Sequence, residues 1–289
     1  AEATIERALK SATSQDYKET EILLVDDCSS DDSLKIINNF KIKNNLDFKL
    51  ICHKFNKGPA GTRNSIIKNS KGKYIVFFDD DDFSYPNRIS EQHKILSQTI
   101  KNLKNDKIFC FASGKKIYKK NYSFDFKSIG ARKIFPPGDY LLEFLTFNKK
   151  YNHIDYGSGT PASSLMALTE ILKKIGSFDE SLRRVEDADI SIRLTQNGGC
   201  LIGTPSILFE QYYSFGNDKS PKANYESEIK IINKNAKTLK QKSMYMYSKL
   251  WTKLRYNYFQ KKYLSLLYIF LILLIIKPIY SLSHLKRTA

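Results

Sequence analysis

The chain has 289 residues, 42% hydrophobic and 13% aromatic, with a net charge of +17. That apolar content suits one large α/β domain or two small ones, and with only 13 glycines and 8 prolines it excludes a disordered tail or a collagen-like repeat. Four scattered cysteines, Cys28, Cys52, Cys110 and Cys200, have neither zinc-site spacing nor disulfide density, which points to a reduced, cytosol-facing protein.

Residues 1–13 (AEATIERALKSAT) read as an amphipathic helix with Ile5, Ala8, Leu9 and Ala12 on one face, and they lack the basic start and apolar run of a signal peptide. Short apolar runs without helical spacing follow: Glu21–Val25, Phe48–Cys52, Tyr74–Phe78 and Ile108–Ala112. Between them Ser33–Phe40, Ala60–Asn69 and Ile89–Leu103 repeat every three to four residues. Strand–helix alternation at this pace predicts an α/β fold with a mostly parallel sheet and helices on both faces. Ligands in such sheets bind beyond the carboxyl ends of the strands.

Acid stands at two of those ends. Asp26 and Asp27 follow EILLV, with Asp31 and Asp32 shortly after; Asp79, Asp80, Asp81 and Asp82 follow YIVFF. Helix capping by Ser30 or Asp31 accounts for part of the first cluster. It accounts for only one aspartate of the second, where Pro86 argues for a tight loop before the next helix. Hard oxygen ligands at i and i+2 suit Mg²⁺ or Mn²⁺, which leaves open positions for phosphate oxygens.

QDYKETEILLVDDCSSDDS, NKGPAGTRNSIIKNSKGKYIVFFDDDDFSYPNRI and GSFDESLRRVEDADISIRL together resemble family 2 of the glycosyltransferases, the GT-A fold, of the kind that builds bacterial surface glycans. The three ordered blocks span residues 1 to about 220. The resemblance implies that Asp27, with Asp26 beside it, accepts a hydrogen bond from the uracil ring, and that Arg63 lies near the nucleotide, after a Lys57-Gly58 loop whose backbone approaches it. Asp79 and Asp81 match the family's DxD: Asp81 as direct ligand of Mg²⁺ or Mn²⁺, Asp79 nearer the ribose, Asp82 supporting through water. Asp187 matches the carboxylate that, in inverting members, takes the proton from the acceptor hydroxyl. Glu186, Gly159, Thr160 and Ser163 fall on the acceptor side, and Phe124–Tyr140 is where acceptor specificity would sit. Asp189 and Arg193, at i and i+4, are spaced for a salt bridge.

Two departures accompany the resemblance. Family members open on a strand and a short loop that cradle the uridine, and this sequence starts after them. Some members place a metal-binding histidine after the last strand; Ile207–Ser220 has none, and His53, His93, His153 and His284 fall elsewhere.

The tail carries the charge. Residues 229–289 hold 13 basic and no acidic side chains. Tyr245, Tyr247, Trp251, Tyr256, Tyr258 and Phe259 interleave with lysines and arginine, a pattern that suits single-stranded nucleic acid or a membrane interface. Tyr263–Ile276 then runs 14 residues without a charge, too short for the hydrocarbon core, before Pro278. The expectation is an interfacial or re-entrant anchor over residues 249–285, with a single span second and no nucleic-acid partner.

These readings give a GT-A domain over 1–220, divided near 110 into nucleotide and acceptor halves, and a membrane-associating tail over 221–289. The expected reaction is metal-dependent transfer from a nucleotide sugar, UDP-sugar favoured, to a lipid-linked or surface glycan at the cytoplasmic face of the membrane. Rival readings are a receiver domain phosphorylated on Asp79 or Asp80, which also begins with paired acids after a strand, and a nucleic-acid binder using the tail.

Overall fold

The computed structural model describes residues 1–119, 122–213 and 220–288. The stretch read for a histidine falls partly on residues 214–219, outside these, as does the side chain of His284. The chain divides into two compact units, one of residues 1–138, 152–181 and 186–214, the other of residues 139–151, 182–185 and 215–289.

The first unit opens with α1 (Ile5–Thr13), which buries Ile5, Ala8 and Leu9. β1 (Leu23–Asp26) and β2 (Lys49–Cys52) pair in parallel with Val25 opposite Ile51, connected through α2 (Ser33–Lys43). Ile5, Leu9, Ile37, Phe40 and Phe48 form their buried core. α3 (Gly58–Asn69) leads to β3 (Tyr74–Val76), the acidic turn, β4 (Phe83–Ser84) and α4 (Arg88–Leu103). β5 (Ile108–Lys119) and β6 (Tyr122–Phe126) form a ribbon. β7 (Leu165–Leu168) and β8 (Cys200–Tyr212) complete a six-stranded sheet in the order β3-β7-β5-β8-β4, with β6 on β5. Leu96, Ile108, Cys110, Met166 and Ile202 pack between α4 and this sheet.

The α/β class stands, but the expected mostly parallel pairing is corrected. Among the described residues only β1–β2 and β5–β8 run parallel, while β3–β7, β4–β8, β5–β6 and β5–β7 are antiparallel. A strand covered on both faces is a continuous apolar run whichever way its neighbours point, so run composition carries no direction. Ile108–Ala112 proves to be the first part of a 12-residue strand. Its continuation into SGKKIYK holds because the strand there pairs on both sides, with Gly114 opposite both Phe126 and Phe209. A Cβ on Gly114 would lie 2.6 Å from the Phe209 ring, so only glycine lets the two phenylalanines meet over the backbone.

The second unit is helical. α5 (Tyr140–Phe147) belongs to it, as do α8 (Pro221–Lys234), α9 (Ala236–Gln241), α10 (Tyr245–Phe259), α11 (Tyr263–Ile276) and α12 (Pro278–Thr288), whereas α6 (Thr169–Lys174) and α7 (Glu186–Gln196) lie in the first. Buried Glu143 on α5 is bound by Lys242 at 2.7 Å, Lys149 at 3.3 Å and Tyr151 Oη at 2.7 Å. Arg255 on α10 pairs with Glu228 on α8. α11 turns Ile269 and Leu273 inward. Its opposite face is equally apolar: Leu264 is 87% exposed and Ile275 83%, with Leu267, Tyr268 and Leu271 between them. Among the described residues no helix is long and apolar enough to cross a membrane. Pro278, lacking an N–H, starts a new helix rather than continuing α11.

Candidate active site

α3 is the element on which the site is assembled. Its first residue, Gly58, adopts φ +77°, a left-handed conformation glycine enters without strain. There its N–H reaches Asp27 Oδ2 at 2.7 Å, and the Lys57 N–H reaches Oδ1 at 2.8 Å. Asp27 thus caps α3, where the helix dipole favours an anion. His53 Nδ1 lies 2.7 Å from the same Oδ1 and Nε2 lies 2.8 Å from Ser65 Oγ. A carboxylate only accepts, so Nδ1 carries the proton. Of about four acceptor positions on the Asp27 carboxylate, three are engaged before any ligand arrives. Asp26, buried behind it, accepts from the Ser29 N–H at 3.2 Å.

One turn further along α3, Arg63 joins two distant stretches of chain. Its Nη2 donates to Asp79 Oδ1 at 3.0 Å, and Nη1 donates to Glu186 Oε1 at 2.6 Å. The neighbouring carboxylates of Asp79, Glu186 and Asp187 overcome the burial that would discharge the guanidinium, and raise its pKa. Asn64 holds the loop before α7 by donating to the Phe178 carbonyl at 2.9 Å. Glu186 opens α7 and is buried; Asp187 is half-buried beside it, with Oδ1 accepting from the Ala188 N–H at 2.7 Å. Val185, just before, has φ +57°, a strained setting for a β-branched residue. Asp189 makes the anticipated pair with Arg193, at 2.9 Å.

In the acidic turn, Asp79, Asp81 and Asp82 bring one carboxylate oxygen each within 4.8 Å of one another, and Asp80 lies outside that group. Burial, then the charges of Asp79 and Asp81, push the Asp82 carboxyl up to about 8. Three hard oxygen donors crowded in this way fit a divalent cation such as Mg²⁺ or Mn²⁺. Asp82 Oδ1 also accepts from the Tyr212 N–H at 3.1 Å, which fixes the turn to the end of β8.

Beneath the turn lies a group that the sequence does not single out. Arg88 is wholly buried and donates to the carbonyls of Phe77 at 2.9 Å and Ser163 at 2.7 Å, and to Ser84 Oγ and Gln92 Oε1. Burial lowers it to about 10, against the opposing pull of Asp82 and Asp79. Arg88 therefore ties the strand that enters the turn to the segment carrying Ser163. Thr160 and Ser163 are buried there, and Gly159, at φ +92°, stands in the loop before them. Arg7 adds a further cation, donating to the Asp81 carbonyl and lying over the Tyr212 ring at 3.7 Å. A polar signal existed for Arg88, four residues before Gln92 on one helix face, but a charged residue reads as surface unless its burial is known.

Comparison with known proteins gives one consistent result. The profile of glycosyl transferase family 2 matches residues 1–167. A UDP-Glc:alpha-D-GlcNAc-diphosphoundecaprenol beta-1,3-glucosyltransferase of Escherichia coli is 46% identical over 91 residues, which cover 31% of this chain and 34% of that protein. A GalNAc(5)-diNAcBac-PP-undecaprenol beta-1,3-glucosyltransferase of Campylobacter jejuni is 33% identical over 78 residues, 27% of this chain and 25% of that one. These matches span about a third or less of either relative. Among solved structures, GalNAc-T7 with UDP, GalNAc and Mn²⁺ superposes with a TM-score of 0.59 at 18% identity, over 81% of this chain and 45% of that chain. That likeness shows the fold.

Asp27→Ala is expected to lower the unfolding free energy by about 1–3 kcal/mol in urea without nucleotide, because buried donors lose their acceptor. An unchanged urea midpoint would assign Asp27 to ligand contact alone.

Proposed function

The chain belongs to glycosyl transferase family 2, and on that premise we propose that it transfers a sugar from a nucleotide donor, UDP-hexose in the first instance, to a hydroxyl of a lipid-linked glycan, with inversion. The family and the GT-A-like fold displace the phosphoacceptor reading, which accounts for the acidic strand ends alone. The observation that carries the proposal is the Arg63 bridge, which sets the acidic turn and the start of α7 on one surface.

In this reading the acceptor hydroxyl attacks the anomeric carbon and the bond to the diphosphate oxygen breaks, its electron pair leaving with UDP. Asp187 takes the hydroxyl proton. Asp79 and Asp81 would hold Mg²⁺ or Mn²⁺ with Asp82 at their side; when bound, the ion neutralises the charge developing on the leaving diphosphate. Arg63 and Asp26 line the nucleotide side. Asp27 positions the Lys57-Gly58 backbone and has one acceptor position left for the base. Gly159, Thr160, Ser163 and Glu186 stand on the acceptor side, with Glu186 held by Arg63. The lipid-linked acceptor is suggested by the names of the two bacterial relatives. Residues 1–220 would form the catalytic domain. The tail would lie on the cytoplasmic membrane surface through residues 249–285, with the exposed apolar face of α11 at the acyl boundary and the lysines that flank it, Lys261, Lys262 and Lys277, among the headgroups.

Asp187→Asn is expected to reduce transfer about 10²–10⁴-fold while leaving UDP affinity almost unchanged; normal turnover, read as UDP release, would require another base. Mn²⁺ binding should displace the proton that burial keeps on Asp82 up to about pH 8. Affinity should therefore rise about tenfold per pH unit from 6 to 8 and level off above. Calorimetry in buffers of different ionisation enthalpy reads this directly, and a pH-independent affinity would remove Asp82 from the metal shell. Leu264→Asp with Ile275→Asp, both at exposed positions, should weaken flotation with liposomes; unchanged flotation would remove α11 from the contact.

A further inference from the structure

The β5–β6 ribbon carries a second exposed apolar surface, in the catalytic unit itself. Along β6 successive side chains alternate faces, so Tyr122, Phe124 and Phe126 share one face, and their exposure falls from 61% through 40% to 5% toward the sheet. β5 contributes Gly114, Lys116 and Tyr118 on that face, and β8 contributes Phe209, with Tyr213 just past its end. Phe126 and Phe209 meet edge to face at 5.7 Å and anchor the stripe in the core. At its outer end Tyr118 stacks on Phe124 at 5.9 Å and on Tyr213 at 5.5 Å.

We propose that this ribbon is an interfacial anchor that seats the catalytic unit in the headgroup layer of an anionic bilayer. Four large rings, Tyr118, Tyr122, Phe124 and Tyr213, stand exposed together at the outer end of β6, β5 and β8, a patch of the kind that marks an interaction surface. Tyrosine places an apolar body and a polar tip at headgroup depth, as in aromatic belts of membrane proteins. Charge complements this: residues 115–127 contain five lysines and one aspartate, a ratio that draws an anionic leaflet. The ring packing favours lipid over sugar. β5 lies between β6 and β8, and Tyr118 stacks with Phe124 and Tyr213, so its ring is already engaged by two neighbours that a pyranose would have to share. The position also serves the chemistry, because Tyr212, adjacent to Tyr213, donates its N–H to Asp82 of the acidic turn. A ribbon seated at the surface brings the candidate cation site to the layer where a lipid-linked acceptor presents its sugar. The inference shares with the proposed function the premise of work at a membrane, and it needs no contribution from α11.

The chain has one tryptophan, Trp251, so Trp251→Phe with Phe124→Trp puts a single reporter on the ribbon of the full-length protein. On vesicles of phosphatidylglycerol and phosphatidylethanolamine the emission is expected to shift to the blue and to fall about twofold when the acyl chains are brominated. Adding Lys115→Glu and Lys116→Glu should weaken both effects. Protein that sediments with the vesicles while its emission stays unshifted and unquenched would overturn the ribbon anchor and leave the α11 reading intact. No sedimentation at all would overturn both. A blue shift caused by maltoheptaose and absent with vesicles would overturn it in favour of a sugar-stacking surface.

Discussion

Everything at this site depends on one buried guanidinium holding carboxylates that would otherwise repel one another. Arg63 reaches Asp79 in the acidic turn and Glu186 at the start of α7, residues 107 positions apart in the chain. Its charge is secured by the acids around it, and it sits on a helix whose first turn is fixed by Asp27. The acids of the turn and those at the start of α7 are therefore positioned by α3 rather than by each other. Arg88 repeats the logic from beneath, joining the strand before the turn to the Ser163 segment through two main-chain carbonyls.

Much of this could be read in the amino-acid order because burial and charge conflict visibly there. Four aspartates after an apolar run have no folding rationale, and Glu186-Asp187 after GSFDESLRRV stood out in the same way. α11 has the bounds its uncharged run implied, since a charge-free segment beside Pro278 leaves little choice. Strand direction was not legible, because apolar runs carry no polarity along the sheet. Arg88 and His53 were missed since a lone basic residue declares neither its depth nor its partner. The grouping of residues 139–151 with the C-terminal helices rests on ion pairs such as Glu143–Lys242, across 99 positions, for which local pattern has no signal.

The two exposed apolar surfaces follow a common physical rule from different elements. α11 is apolar all round, and one side already faces its own unit through Ile269 and Leu273. The ribbon is apolar by alternation, its stripe running out of the core into solvent. In both, aromatic rings and lysines accompany the apolar surface, the combination that suits a headgroup layer better than bulk water.

The most direct measurement is diffraction from crystals grown with UDP and Mn²⁺, recorded at the manganese edge. The account predicts an anomalous peak coordinated by carboxylate oxygens of Asp79 and Asp81, with the pyrophosphate beside it and Asp187 on the same surface. A peak held by other side chains, or bound UDP on a face remote from α7, would contradict it.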